Sequence, residues 1–140
     1  MKLTRYTDYA VRTVVYLANQ EGRLASIAEI ARAYDISQNH LMKVVQQLAA
    51  AGFVETLRGR GGGLRLARPA DQINVGALVR ETEGGFDLVD CSACVAAPGC
   101  GLPRMLAEAT RAFLAVLDSY SVADISRQPE VMRQLFAQRA

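Results

Sequence analysis

Apolar residues recur along this chain at helical spacing, and each such stretch is bounded by residues that start or stop a helix. Val11, Val14, Val15 and Ala18 predict a helix over about residues 7–20. Asp8 falls in its first turn, where a helix N-terminus favours an acid, and Gly22 closes it. Ser26-Ile27-Ala28-Glu29 is a capping-box pattern, in which the two polar side chains satisfy free backbone N–H groups reciprocally; it predicts a short helix from Ile27 to Tyr34. Ser37 is placed to cap a third helix to about Ala51, with Leu41, Val44, Val45 and Leu48 as its buried stripe and Gly52 as its stop.

The pattern then changes. Phe53–Leu57 and Leu64–Ala67 are short, β-leaning runs either side of Arg58-Gly59-Arg60-Gly61-Gly62-Gly63, a connector suited to a hairpin. A helix, two helices separated by only a few residues, then a hairpin with a basic tip is the element order of a winged helix-turn-helix. The expected fold is therefore mainly α with a small β-hairpin wing. Pro69 ends the wing, and Asn74 is placed to cap a helix from Val75 to Glu83, closed by Gly84-Gly85. Leu102, Met105, Leu106, Ala109, Phe113, Val116, Leu117 and Tyr120 give the longest helical pattern, about residues 102–120, or roughly 28 Å at 1.5 Å per residue. A last helix begins near Pro129 with Val131, Met132, Leu135 and Phe136. The expected organisation is a DNA-binding domain over 1–72, a linker helix and cysteine loop over 73–101, and a dimerisation helix with a C-terminal helix over 102–140. A long amphipathic helix outside a small domain needs cover for its apolar face, and a second copy of the chain supplies it most economically.

Charge adds a partner to this picture. The net charge of +2 hides an asymmetry: residues 1–72 carry ten Lys or Arg against six acids, while 73–140 carry six Arg against eight acids. A basic N-terminal half on a nearly neutral protein marks a face for a polyanion. On a winged helix-turn-helix, Ser37, Gln38, Asn39, His40 and Lys43 lie on the exposed face of the third helix, whose N-terminal residues enter the major groove. Gln38 and Asn39 carry the donor–acceptor pairs that read adenine edges, and Lys43 reaches a phosphate or guanine. Arg58 and Arg60, set among glycines, suit a narrow minor groove. The expected partner is double-stranded operator DNA, bound by a homodimer. His40, the sole histidine, is read as a DNA-facing side chain rather than a metal ligand.

All three cysteines fall within ten residues, as Cys91-x2-Cys94-x5-Cys100. The N-terminus lacks a signal-peptide h-region, and no apolar run approaches the roughly 18–20 residues of a membrane helix, so a cytoplasmic location is expected. In that reducing compartment clustered thiols are metal ligands or redox groups before they are disulfides. Short spacings on a flexible loop let soft thiolates converge on one centre, and three thiolates leave a fourth position to another group. A thiol–disulfide switch, or a zinc-stapled interaction module without DNA binding, would use the same residues. Enzyme chemistry finds little support: there is no His-Glu-x-x-His, no phosphate-binding loop and no triad around Cys94.

Three segments carry a family resemblance: Met1–Ala10 (MKLTRYTDYA), Ser37–Lys43 (SQNHLMK) and the wing Arg58–Leu66 (RGRGGGLRL). They resemble the iron–sulfur winged-helix regulators that include IscR and NsrR, over nearly the whole chain. Leu88-Val89-Asp90 before the cysteines and Tyr120–Asp124 are most similar to the nitric-oxide-sensing branch. The resemblance implies a homodimer that represses from operator DNA while carrying an iron–sulfur cluster and releases it when nitric oxide attacks the cluster. It implies Cys91, Cys94 and Cys100 as cluster ligands, and Asp8 of the partner subunit as the fourth. The branch with a histidine just after the third cysteine is disfavoured, because Gly101-Leu102-Pro103-Arg104 follows here. The two-residue gap between Cys91 and Cys94 is shorter than the pattern associated with the group. The expected cluster is 4Fe-4S, with 2Fe-2S the alternative, and iron supply, cluster status or oxygen the alternative stimulus.

Overall fold

The computed structural model describes residues 2–140. Thr4 caps the first helix, α1 (Arg5–Ala18), by accepting the N–H of Thr7, so the helix starts two residues before the periodicity places it. The capping box at Ser26 and Glu29 is present and opens α2 (Ile27–Tyr34). Asp35 turns the chain in the left-handed region, and Ser37 accepts the N–H of His40 to start α3 (Gln38–Ala50). Strands β1 (Val54–Leu57) and β2 (Gly63–Leu66) pair antiparallel, Val54 opposite Leu66 and Leu57 opposite Gly63. This is the winged helix-turn-helix expected from the order of elements.

The core forms where these elements meet. Ala10, Val14 and Leu17 of α1 pack with Ile30, with all four apolar positions predicted for α3 (Leu41, Val44, Val45 and Leu48), and with Val54 and Leu64 of the wing. Val11 and Ala18 sit at the edge of that core rather than inside it. The wing is also pinned to the segment before α2 by a bridge that no periodicity predicts. Ala25 and Leu64 exchange both backbone hydrogen bonds, at 3.0 and 2.7 Å.

The core does not stop at residue 72. Ile73, just before α4 (Val75–Thr82), and Leu78 within it are fully buried, and so is Val122. Val122 belongs to a four-residue helix, α6 (Val122–Ile125), opened by a capping box from Ser121 and Asp124. The long helix α5 (Leu102–Asp118) ends earlier than its apolar pattern, because Asp118 is drawn back to α4: its carboxylate pairs with Arg80 and its carbonyl accepts from Asn74 at 2.7 Å. Backbone bonds from Val75 to Tyr120 and from Val122 to Ile73, each 2.9 Å, complete this joint. The final helix, α7 (Pro129–Ala137), returns to α1 and α2, where Phe136 lies against Tyr16 (4.7 Å between ring centroids) and Tyr34 (5.5 Å). No helix among the described residues is long and apolar enough to cross a membrane.

Two features of the fold bear on the site. Helix α5 holds no fully buried residue, and Leu102, Met105 and Val116 are 42, 57 and 58 % exposed on it. Between α4 and α5, residues 84–100 form an extended loop whose hydrogen bonds, among the described residues, are all internal.

Candidate nucleic-acid interface and metal centre

Ser37, Gln38, Asn39, His40 and Lys43 are all exposed on the N-terminal half of α3, as a recognition helix requires. Ser37 spends its hydroxyl on the helix cap, which leaves Gln38, Asn39 and Lys43 with free side chains at the solvent face. His40 stands edge-on to Tyr9 of α1, 6.0 Å between centroids, so its ring has a defined position beside the others. The helix is tied to α1: the Tyr6 hydroxyl donates to the Lys43 carbonyl at 3.0 Å.

The wing carries four arginines, and the structure separates them. Arg65 is spent on its cross-strand partner Glu55, at 2.8 Å, and Arg68 lies over the Phe53 ring. Arg58 and Arg60 are exposed at the tip, with no carboxylate within 4 Å among the described residues. Gly59 and Gly61, at φ +94 and +77, turn the backbone through a conformation that L side chains rarely adopt, and so keep the tip tight. Two unneutralised guanidiniums on a narrow tip, beside an exposed polar helix face, form a surface suited to the phosphates and grooves of a duplex.

Cys91, Cys94 and Cys100 are free thiols on the loop between α4 and α5; Cys91 is half-buried and the other two are exposed. The segment is a run of tight turns. Cys94 N–H donates to the Cys91 carbonyl (3.2 Å), Ala97 to Cys94 (3.2 Å) and Gly99 to Ala96 (3.0 Å). The Ser92 N–H donates to Asp90, which holds that carboxyl below its ordinary range. Among the described residues, no three His, Cys, Asp or Glu side chains are gathered closely enough to hold a metal ion. The loop thus places the three sulfurs on one short, locally folded segment without converging them.

Asp8, in the first turn of α1, lies in a bidentate pair with Arg12, Nε to Oδ1 and Nη2 to Oδ2 both at 3.0 Å. The Arg12 guanidinium lies 5.6 Å from the centroid of the Tyr34 ring. Nearby, Glu83 at the end of α4 accepts the N–H of Thr4 (2.7 Å) and its hydroxyl (3.1 Å). Partial burial pushes the Glu83 carboxyl up, but bonds from Thr7 and Thr4 outweigh it and leave it below its ordinary value of 4.5. A depressed carboxyl stabilises the fold above its unfolded pKa, and that contribution is lost as pH falls through the folded one. A Glu83→Gln protein should therefore melt below the wild type at about pH 6, with the difference closing towards about pH 3. A melting difference that is constant across this range would remove Glu83 ionisation from the contact between α4 and the start of α1.

Tyr6, Gln47 and Glu81 are functional candidates that sequence patterns do not mark. Two tyrosines three apart, Tyr6 and Tyr9, on the edge of a helix are the only visible signal, and Gln47 and Glu81 give none.

Residues 3–128 match the Rrf2 family, described as an iron-dependent transcriptional regulator. The chain is 48 % identical to the HTH-type transcriptional regulator NsrR of Bacillus subtilis, over 96 % of this chain and 97 % of that protein. Among solved structures it is similar to IscR of T. potens (28 % identity, TM-score 0.73, covering 89 % of this chain and 85 % of that one). It is also similar to CymR, the global cysteine regulator of B. subtilis (27 % identity, TM-score 0.69, 90 % and 96 %).

Proposed function

Because this chain belongs to the Rrf2 family, and is a DNA-binding transcriptional regulator rather than an enzyme, we propose that it is a homodimeric repressor whose cysteine loop carries an iron–sulfur cluster and senses nitric oxide. One observation carries this reading: a basic winged helix-turn-helix is joined through α4 to a loop that holds every cysteine of the chain as a free thiol outside the core. The donor set fits such a group. Soft thiolates select iron–sulfur centres, and this loop can rearrange without breaking a hydrogen bond to the body of the protein.

In this reading Cys91, Cys94 and Cys100 supply three ligands, and Asp8 of the partner subunit supplies the fourth. Ligation would take one carboxylate oxygen and leave the other to Arg12, which keeps the side chain oriented. A cluster bound there would supply iron whose carboxylate-held position yields to a small molecule such as nitric oxide more readily than a thiolate-held one. The exposed apolar face of α5, with Leu102, Met105 and Val116, supports a second copy as the dimer partner. Two copies present two copies of α3 and of the wing to a palindromic site. The preferred cluster is 4Fe-4S, with 2Fe-2S the alternative.

Anaerobically purified protein should be coloured, contain iron and sulfide, and lose operator affinity on adding nitric oxide. Zinc without sulfide would overturn the sensor, and unchanged DNA binding after nitric oxide would overturn the signal. The family description as iron-dependent favours a second reading, in which iron supply or cluster status is the stimulus. Operator affinities of the cluster-free, loaded and nitric-oxide-treated protein separate the two.

A further inference from the structure

The cysteine loop and the recognition helix are distant in sequence, yet α3 is gripped at two points one turn apart. The Tyr6 hydroxyl donates to the Lys43 carbonyl at 3.0 Å, and the Gln47 side-chain N–H donates to the Glu81 carbonyl at 2.6 Å. The same Gln47 nitrogen lies 3.3 Å from the Glu81 carboxylate. Positions 43 and 47 share one face of the helix. The second grip ends on the last turn of α4, immediately before the loop.

That turn is tied at each of its final residues. Glu81 holds Gln47 of α3. Thr82, almost fully buried, donates to the Thr7 hydroxyl at 3.0 Å. Glu83 holds the N-cap of α1 through Thr4. Helix α1 closes the triangle by holding α3 through Tyr6. The first turn of α1 also contains Asp8, so both segments implicated in the centre, the loop and Asp8, are footed on this triangle.

The Gln47 contact is built to be conditional. The Glu81 carbonyl lies in the last turn of α4, where carbonyls have no intrahelical partner, and Gln47 supplies one from another helix. If the loop wound α4 on by a turn, the N–H of Gly85 would become the rival donor for that carbonyl. Gly84 and Gly85 have no heavy atom within 4 Å of where a Cβ would stand, so the side-chain position of each is open. The contact is solvent-exposed, so a released Gln47 is taken up by water.

We infer that Gln47 is a positioning residue that transmits the state of the cysteine loop to the recognition helix through the Glu81 carbonyl, with Tyr6 as the fixed second grip. The inference rests on the regulatory reading above, and it adds the physical link between the two halves of that reading. The last turn of α4 is then the element that both sites bias.

The test compares operator affinity of the iron-loaded protein with that after nitric oxide, in wild type and in Gln47→Ala. Coupling between two sites typically reads as about 5–150-fold. In Gln47→Ala the ratio should fall below about threefold, with iron and sulfide content and melting temperature near wild type. Gln47→Lys keeps a donor at this position and should restore the ratio, although its charge raises affinity in both states. A merely structural role would lower both affinities and leave the ratio intact. A second readout needs no cluster. Alkylating the three thiols of cluster-free protein with N-ethylmaleimide should change amide exchange across residues 43–50 in wild type and not in Gln47→Ala. A responsive wild type with an equally responsive Gln47→Ala overturns the inference alone, as does alkylation that alters α3 equally in both proteins or in neither. A wild type indifferent to nitric oxide overturns the sensing proposal and the inference together.

Discussion

Replacing Cys94 with alanine is expected to abolish retention of iron and sulfide while leaving a folded protein. The Cys94 side chain is exposed and takes no part in the core. Its two structural contributions are made by the backbone: the N–H to the Cys91 carbonyl and the carbonyl to Ala97, both 3.2 Å, survive the substitution. Surface changes of this kind cost within about 0.5 kcal/mol, so the melting temperature should scarcely move. Chelation is a different matter. Removing one of three thiolates leaves two on a loop that is not preformed for a metal, and a cluster of either type needs more. The checks are iron and sulfide content, the visible spectrum and gel filtration, with Ser92→Ala as a control from the same loop. A Cys94→Ala protein that keeps its colour would show that the ligands lie elsewhere. One that unfolds would show that the loop is structural, as a zinc staple would be.

The elements that were legible in the sequence are those whose ends carry their own chemistry. Ser26 with Glu29, Ser37, and Asn74 each cap a helix through a side chain that only those residue types provide, and α2, α3 and α4 begin where these residues place them. The wing was legible because glycines interrupt two β-leaning runs. Helix α6 was not, since four residues cannot show a period of 3.6, and its importance lies in one buried valine, Val122. The early end of α5 was hidden for another reason: Asp118 looks like any surface acid until Arg80 and Asn74 are seen to hold it.

The site divides in the same way. Exposed residues on one face of a helix follow a pattern, so the α3 set was readable, and Arg58 and Arg60 were readable from their glycine setting. Which wing arginines remain unpaired was not, because the register that sets Glu55 opposite Arg65 is a tertiary fact. Gln47 with Glu81 and Tyr6 with Lys43 are isolated contacts between residues 34 and 37 positions apart, and no periodicity announces such a contact. The solvent-facing candidate residues are thus easier to find in sequence than those that hold them in place.

That separation of the wing arginines makes Arg60→Ala the sharpest test of the DNA-binding surface. Arg60 is exposed, has no carboxylate within 4 Å among the described residues, and stands between two glycines in the left-handed region. Its removal should leave the fold unchanged, because its side chain is exposed and is not part of the core. Taking away one arginine–phosphate pairing reduces the slope of log affinity against log salt by about 1, and operator affinity near about 0.1 M salt should fall about tenfold or more. Arg65→Ala is the matched control. It lies on the same hairpin with the same charge, but its guanidinium is already committed to Glu55 at 2.8 Å, so its effect on affinity and slope should be much smaller. If the two variants bind alike, net charge on the wing is what matters and the tip has no special place. If Arg60→Ala binds as the wild type does with an unchanged slope, the wing lies outside the interface and α3 alone carries recognition. A defect confined to Arg60→Ala would place the tip against the phosphates, the arrangement in which a movement of α3 relative to the wing changes affinity without altering any residue that touches DNA.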